Sequence, residues 1–374
     1  MMRILPLLLP AALLLPAATA TAQKINDVVL KKDGARVRGV EITDFLLSGV
    51  RGKRGSDDFE LPAHLVKDIE WSELPEEFLA GKGAMGRGDF AAAAQFFGAV
   101  QSDRPLVKAD AEFFKVKAAI AGIGADKASA ATAASHMKDW VSSNANHWRT
   151  PEALLLQGRA ERLAGTAGAA TTTLKELDDR AIRDGFGTVW SARAKYELAL
   201  TLVADGKSGE ARTAFKSAST AANTALNTSK TDVAELQNLK TLARVGEGET
   251  YLIDKDFKKA ESFFKSLAND PSPALKAAAA AGEGEAIFLS AVVSNNANDL
   301  RRAQLALARA SVFDSTSGES SAKANYYLGR CLLALGADKE GDSFKKRAQQ
   351  YFEIVYSSYP STSWAGRARA EAQK

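Results

Sequence analysis

Two spacings of apolar residues divide the chain. From Leu74 to Lys374 they recur at the 3.6-residue period of a helix, and between Lys24 and Ser72 at a period of two. The helical pattern is clearest in Gly248–Pro271, GETYLIDKDFKKAESFFKSLANDP. Gly248 and Tyr251 lie on a first helix. Lys255 and Asp256 form a turn, and Phe257, Ala260, Phe264 and Leu267 share one face of a second helix. Pro271 ends it, because proline lacks a backbone donor and restricts the residue before it. A hairpin of two short helices cannot bury both of its apolar faces alone, so the pattern predicts further copies stacked against it.

The copies are spelled by an alanine followed four and seven positions later by residues of the packed face. These are Ala93 with Phe97 and Val100, Ala133 with Met137 and Trp140, and Ala170 with Leu174 and Leu177. Ala211 with Phe215 and Ala218, Ala260 with Phe264 and Leu267, Ala303 with Leu307 and Ala310, and Ala348 with Phe352 and Val355 complete the series. The alanines recur every 37 to 49 residues, the mark of a solenoid of about seven helix pairs. Each alanine is expected where two helices cross closest, with the larger residues behind it. First-helix glycines at Gly81, Gly158, Gly248 and Gly329 let the neighbouring helix approach. Asp89-Phe90 and Asp256-Phe257 combine a helix cap with a packing residue.

In Lys24–Ser72 the alternation predicts about five short strands. Val28–Leu30 leads into the turn Lys31-Lys32-Asp33-Gly34. Val37, Val40 and Ile42 follow, then Leu46, Leu47 and Val50, then Phe59 and Leu61, and last Val66, Ile69 and Trp71. So many strands in so few residues suggest a small SH3-like or Sm-like barrel, and the segment resembles small barrels placed ahead of repeat domains in secreted bacterial proteins. Arg51–Arg54 is expected at a charged hairpin tip, followed at once by Asp57, Asp58 and Glu60. Glu73–Glu77 is expected to be a hinge into the helices.

The helical part resembles tetratricopeptide-repeat (TPR) proteins. Gly248, Tyr251, Phe257, Ala260 and Phe264 carry the resemblance, as do Gly81, Phe90, Ala93, Phe97 and Pro105. Gly329, Ala348, Phe352 and Pro360 match with an insertion at Ala337–Ser343, and Leu154, Gly158, Gly165 and Ala170 match in the repeat that starts near Pro151. The stride exceeds the family's usual 34, which implies longer helices or loops. The last repeat, AQQYFEIVYSSYPSTSWAGRARAEA, is similar to repeats of periplasmic TPR proteins that serve outer-membrane assembly and cell-envelope division, with Trp364–Ala372 as a closing cap. The expected fold is therefore mainly α, a solenoid of TPR-like hairpins over residues 74–374 with a small all-β domain at 24–72 before it.

Met1–Ala22 has the form of a secretory signal: Arg3, an apolar core Ile4–Ala18, and small residues Ala20-Thr21-Ala22 for cleavage. The core is short for a membrane span. The expectation is a periplasmic or secreted bacterial protein with no membrane span in the mature chain.

Charge and chemistry narrow the function class. A net charge of +4 over 374 residues, without basic clustering, argues against nucleic acid. The single cysteine, Cys331, excludes an internal disulfide, and with His64, His136 and His147 it offers no metal spacing. Gly206-Lys207-Ser208 lacks the glycine that a phosphate loop needs five residues earlier, where Thr201 stands, and reads as a turn between helices. Asp178-Asp179 reads as a solvated pair on a helix end. No motif of a hydrolase, metal enzyme or cofactor enzyme is present, so neither an enzyme nor a cofactor is expected.

The expected work is binding. The TPR resemblance implies that first helices line a concave face, with the residue after each glycine pointing into it. Those residues are Lys82, Arg159, Glu249 and Arg330, and one turn further lie Met85, Arg162, Leu252 and Leu333. Such a face suits an acidic or amphipathic segment of another protein, which makes the chain an adaptor or scaffold of the cell envelope. The alternative is a carbohydrate or cell-wall contact made by the β domain, with the array as spacer.

Overall fold

The computed structural model describes residues 25–313, 318–336 and 341–374. The expected signal, 1–22, lies outside the described residues, as do 337–340 of the expected insertion. Five strands come first: β1 (Asp27–Lys31), β2 (Arg36–Leu46), β3 (Gly49–Arg54), β4 (Asp57–Pro62) and β5 (Val66–Glu70), with a 3-10 turn at Ala63–Leu65 before β5. They form one antiparallel sheet in the order β4-β3-β2-β1-β5. The long β2 pairs with β1 through its first half and with β3 through its second, which bends the sheet over its own apolar face. The basic run Arg51–Arg54 is not a hairpin tip. It is most of β3, and the turn falls at Gly55-Ser56. Arg51 and Lys53 face Glu60 and Asp58 across the β3–β4 ladder, so opposite charges pair on the solvated side of the sheet.

Helices fill the rest of the described residues, in seven pairs and a final helix. The pairs are α1 (Glu76–Gly86) with α2 (Phe90–Ala99), α3 (Pro105–Ala121) with α4 (Lys127–Ser143), and α5 (Thr150–Ala164) with α6 (Ala167–Arg183). Then come α7 (Thr188–Ala204) with α8 (Ser208–Thr228), α9 (Val233–Ile253) with α10 (Phe257–Ser266), α11 (Pro273–Ser294) with α12 (Ala297–Phe313), and α13 (Gly318–Leu335) with α14 (Gly341–Ser358). The final helix is α15 (Ser363–Ala372). From α3 onward the first helix of each pair touches the first helix of the next, ending with α13 against α15. Second helices mainly touch the first helices on either side of them. The first helices thus form one layer and the second helices another, a packing consistent with a solenoid.

All seven stride alanines are buried, and so are the residues four and seven positions after them. The glycines explain the fit. A methyl group built on Gly81 would lie 2.8 Å from the Phe97 ring, one on Gly158 2.7 Å from Leu174, and one on Gly329 2.7 Å from Phe352. At α9 the device is doubled, because Gly246 opens onto Phe215 of the preceding pair and Gly248 onto Phe264 of its own. The same Gly-Glu-Gly run returns in α11, where Gly282 meets Phe264 and Gly284 meets Leu307. Phe264 is therefore held between two glycines on consecutive first helices. Asp89 and Asp256 cap α2 and α10 by accepting from the amides of Ala92 and Lys259. By length and composition α11 could cross a membrane, yet 61% of that window is buried, and the helix packs against α9, α10, α12 and α13.

The sheet and the first helices share one core. Val29, Val40, Phe45, Val50, Ile69 and Trp71 are continuous with Phe78, Phe97, Phe113, Phe114 and Trp140. The connection read as a hinge is pinned at its start. Asp27 is fully buried and accepts from the amide and hydroxyl of Ser72 and from both terminal nitrogens of Arg104, whose guanidinium lies over Trp71.

Close approach at glycine makes opposite predictions for two positions. Gly248→Ala should lower stability to urea by about 1–3 kcal/mol through overpacking, despite alanine's better helix propensity. A methyl on Gly366, in α15, meets nothing within 4 Å, so Gly366→Ala should raise stability by about 0.5–1 kcal/mol.

Candidate binding groove

Clefts indent the layer of first helices. A cleft of about 730 Å³ lies between the sheet and α5, α7 and α9, lined by Lys32 and Lys67 on one side and by Glu152, Arg159, Trp190, Glu197 and Leu242 on the other. A second, of about 560 Å³, continues along α9, α11 and α13 to the closing helix, past Glu249, Leu252, Ile253, Glu285, Lys323, Trp364 and Arg367. Tyr196, Asn238 and Leu242 line both, so the two clefts form one groove.

The sheet forms the end wall of this groove because buried charges hold it there. Arg149, just before α5, is 3% exposed. It donates from Nε to Asp110 of α3 at 2.7 Å and from Nη2 to Asp68 of β5 at 2.6 Å. Its guanidinium also stacks 4.1 Å from the Trp148 ring. Trp71 Nε1 donates to the other oxygen of Asp110 at 3.0 Å, so strand end, α3 and α5 meet at one carboxylate. Burial pushes the Asp68 carboxyl up, but the charges of Arg149 and Lys82 outweigh it and hold it near 2. The guanidinium, although burial opposes its charge, is kept ionised by Asp110 and Asp68. At the far tip of the sheet Lys32 pairs with Asp232 at 3.2 Å, across 200 residues, and closes the cleft against the start of α9.

His147 sits behind this clamp with its ring 4.3 Å from Phe45 and 5.0 Å from Trp140. Its Nδ1 accepts from the Arg149 amide. Burial first, and then the Arg149 charge, push the imidazole down to about 2, so it is neutral.

The eight residues expected on the concave face separate into three groups. Arg159, Glu249 and Leu252 line the groove. Arg162 stands behind Arg159, both donating to the buried carboxylate of Glu197. Lys82 reaches the sheet and Met85 the core: Lys82 pairs with Asp68 at 2.7 Å with its ammonium 3.6 Å from the Phe114 ring, and burial lowers its pKa, while Met85 packs on the first core. Arg330 and Leu333 belong to the far end, where Arg330 reaches Tyr326 at 3.1 Å and Glu371 of the closing helix at 3.5 Å, and Leu333 packs on the last core. The sheet and the closing helix thus pair with charges at the two ends of the first-helix layer, and the clefts lie along its middle.

Trp190, Tyr196 and Leu242 went unread. Leu242 had a signal: α9 carries Leu236, Leu239, Leu242 and Val245, more apolar positions than its packing uses, and Leu242 remains 41% exposed. Trp190 lies beneath the Arg193 guanidinium at 4.2 Å. Burial and the neighbouring Glu197 raise the Tyr196 hydroxyl to about 12.

Other expected features take these places. Gly206-Lys207-Ser208 is the α7–α8 turn, with Gly206 at φ +74°. Asp178 is not simply solvated, for it accepts from Ser191 at 2.5 Å and from Lys195, tying α6 to α7. Cys331 is buried in α13, and burial pushes its thiol up to about 12. Among the described residues no three His, Cys, Asp or Glu side chains group as metal ligands. No protein-family model matches the chain, and no curated protein matches it in sequence.

Two measurements probe the clamp. Arg149→Met strands Asp110 in the interior and should cost about 3–5 kcal/mol in urea unfolding, with Asp110→Asn in the same chain recovering part of it. Below pH 6.5 the unfolded chain takes up a proton that folded His147 refuses. Its contribution is whole above that pH and should fall by about 1.4 kcal/mol per unit as the pH drops toward 4. His147→Phe should flatten the slope of stability against pH in that window.

Proposed function

We propose that the chain is a non-catalytic adaptor that holds a segment of another protein along its inner groove. The supporting observation is the groove itself, a continuous channel bounded by the sheet and the closing helix, with Leu242 at 41% and Ile253 at 51% exposure on its floor. Large apolar side chains left open in a concave channel with charged sides suit an amphipathic segment. The glycine–alanine packing supports a TPR-like solenoid. The sheet order and the 3-10 turn before β5 support an SH3-like barrel. With its signal-like first residues, the protein is proposed to work in the periplasm or outside the cell, in envelope assembly or upkeep.

The alternative, a barrel that binds carbohydrate with the array as spacer, has less support, because barrel and array share a core and the barrel's β5 faces the helices through Asp68. For the same reason, separating the two halves would not test it.

A photo-crosslinking amino acid at Leu242 of the full chain, expressed in its native cell, should give discrete protein adducts. The same group at Leu305, 70% exposed on the second helix α12, should not. Leu242→Asp should weaken capture about tenfold or more without changing the melting temperature. Equal labelling from both positions, or no protein adduct, would reject the adaptor reading.

A further inference from the structure

The charges along the groove are arranged in two opposite triads. In the cleft next to the sheet Arg159 shares the carboxylate of Glu197 with Arg162, which stands behind it outside the lining. Lys67 on the sheet side is exposed and has no ion-pair partner among the described residues. In the cleft next to the closing helix the ratio inverts. Two carboxylates, Glu249 and Glu285, share one ammonium, Lys323. Glu285 has a second donor in the Tyr327 hydroxyl at 2.6 Å, whereas Glu249 is 47% exposed at the side chain and held only by Lys323 at 3.3 Å. Arg367 lies back on the Trp364 ring at 4.6 Å, on the far side of this cleft. Where the two clefts meet, Leu242 lines both and is 41% exposed, and Ile253, 51% exposed, lies beyond Glu249 on the same helix.

An inner channel with a surplus cation at one end and a surplus carboxylate at the other discriminates by direction. A segment of uniform charge gains at one triad what it loses at the other, whereas one with charge separated along its length gains at both. We infer that the groove takes a polypeptide segment with an acidic end, an apolar middle and a basic end, the acidic end lying against Arg159 and Lys67 and the basic end against Glu249. This inference rests on the adaptor reading and adds the chemistry and polarity of the bound segment.

The test uses the full chain and three fluorescently labelled peptides with the same leucine-rich middle. One is acidic at one end and basic at the other, one acidic at both, and one basic at both. Fluorescence anisotropy at low salt should show the mixed peptide binding about tenfold more tightly than either uniform one, and added salt should narrow the difference. Glu249→Lys, a change at a half-exposed side chain that leaves the Glu285–Lys323 pair in place, should shift the preference to the doubly acidic peptide. Equal binding of all three peptides, or a preference unmoved by Glu249→Lys, would overturn the polarity while leaving an apolar groove that binds. Binding by none of the three would overturn the polarity and the adaptor reading together.

Discussion

The architecture depends on how closely two helices can approach. At Gly81, Gly158, Gly246, Gly248, Gly282, Gly284 and Gly329 a second helix sets a phenylalanine or leucine into the gap, and a stride alanine one turn before that residue is buried beside it. A hydrogen atom in place of a methyl group thus fixes the separation, and the separation fixes the register of each hairpin on the next. Phe264, seated between Gly248 and Gly282, shows that the contact within a pair and the contact between pairs can be one contact. A stack built this way has neighbour-to-neighbour stability, and α15 adds Trp364 and Ala368 to its last core.

Much of this was legible because close packing admits few residue types. The seven alanines, their followers and the glycines reported a solenoid of seven pairs, and Asp89 and Asp256 marked helix starts at the right places. The misreadings share a cause. Arg51–Arg54 lost its strand character to the eye because its partners, Glu60 and Asp58, are charges on another strand rather than apolar neighbours. Lys82 looked free because its partner Asp68 arrives from the β domain, and Arg330 because Glu371 arrives from the closing helix. Local periodicity reports which face of a helix is apolar. It does not report what comes to rest on the polar face.

The candidate groove was less legible than the fold for the same reason. Which of the inner-face charges are already paired is decided by the sheet and the closing helix, whose Asp68 and Glu371 take Lys82 at one end and Arg330 at the other. What remains is the middle of the array, where Arg159, Glu249 and Leu252 meet Leu242 and Trp190. The clamp at Arg149 therefore bears on the shape of the candidate groove as well as on stability, since it holds the sheet as a wall of the channel.

That clamp also sets an order of events in the making of the protein. Arg149 reaches Asp68 across 81 residues and Lys32 reaches Asp232 across 200, so the β segment, synthesised early, acquires its seat only when much later stretches arrive. Until then it presents Phe45 and Trp71 without their His147 and Arg104 neighbours, as a half-covered surface waiting for its own chain. Long-range closure of this kind is slow compared with hairpin-by-hairpin helix stacking. The later hairpins can therefore stack locally, whereas full seating of the sheet waits for contacts from as far along the chain as Asp232.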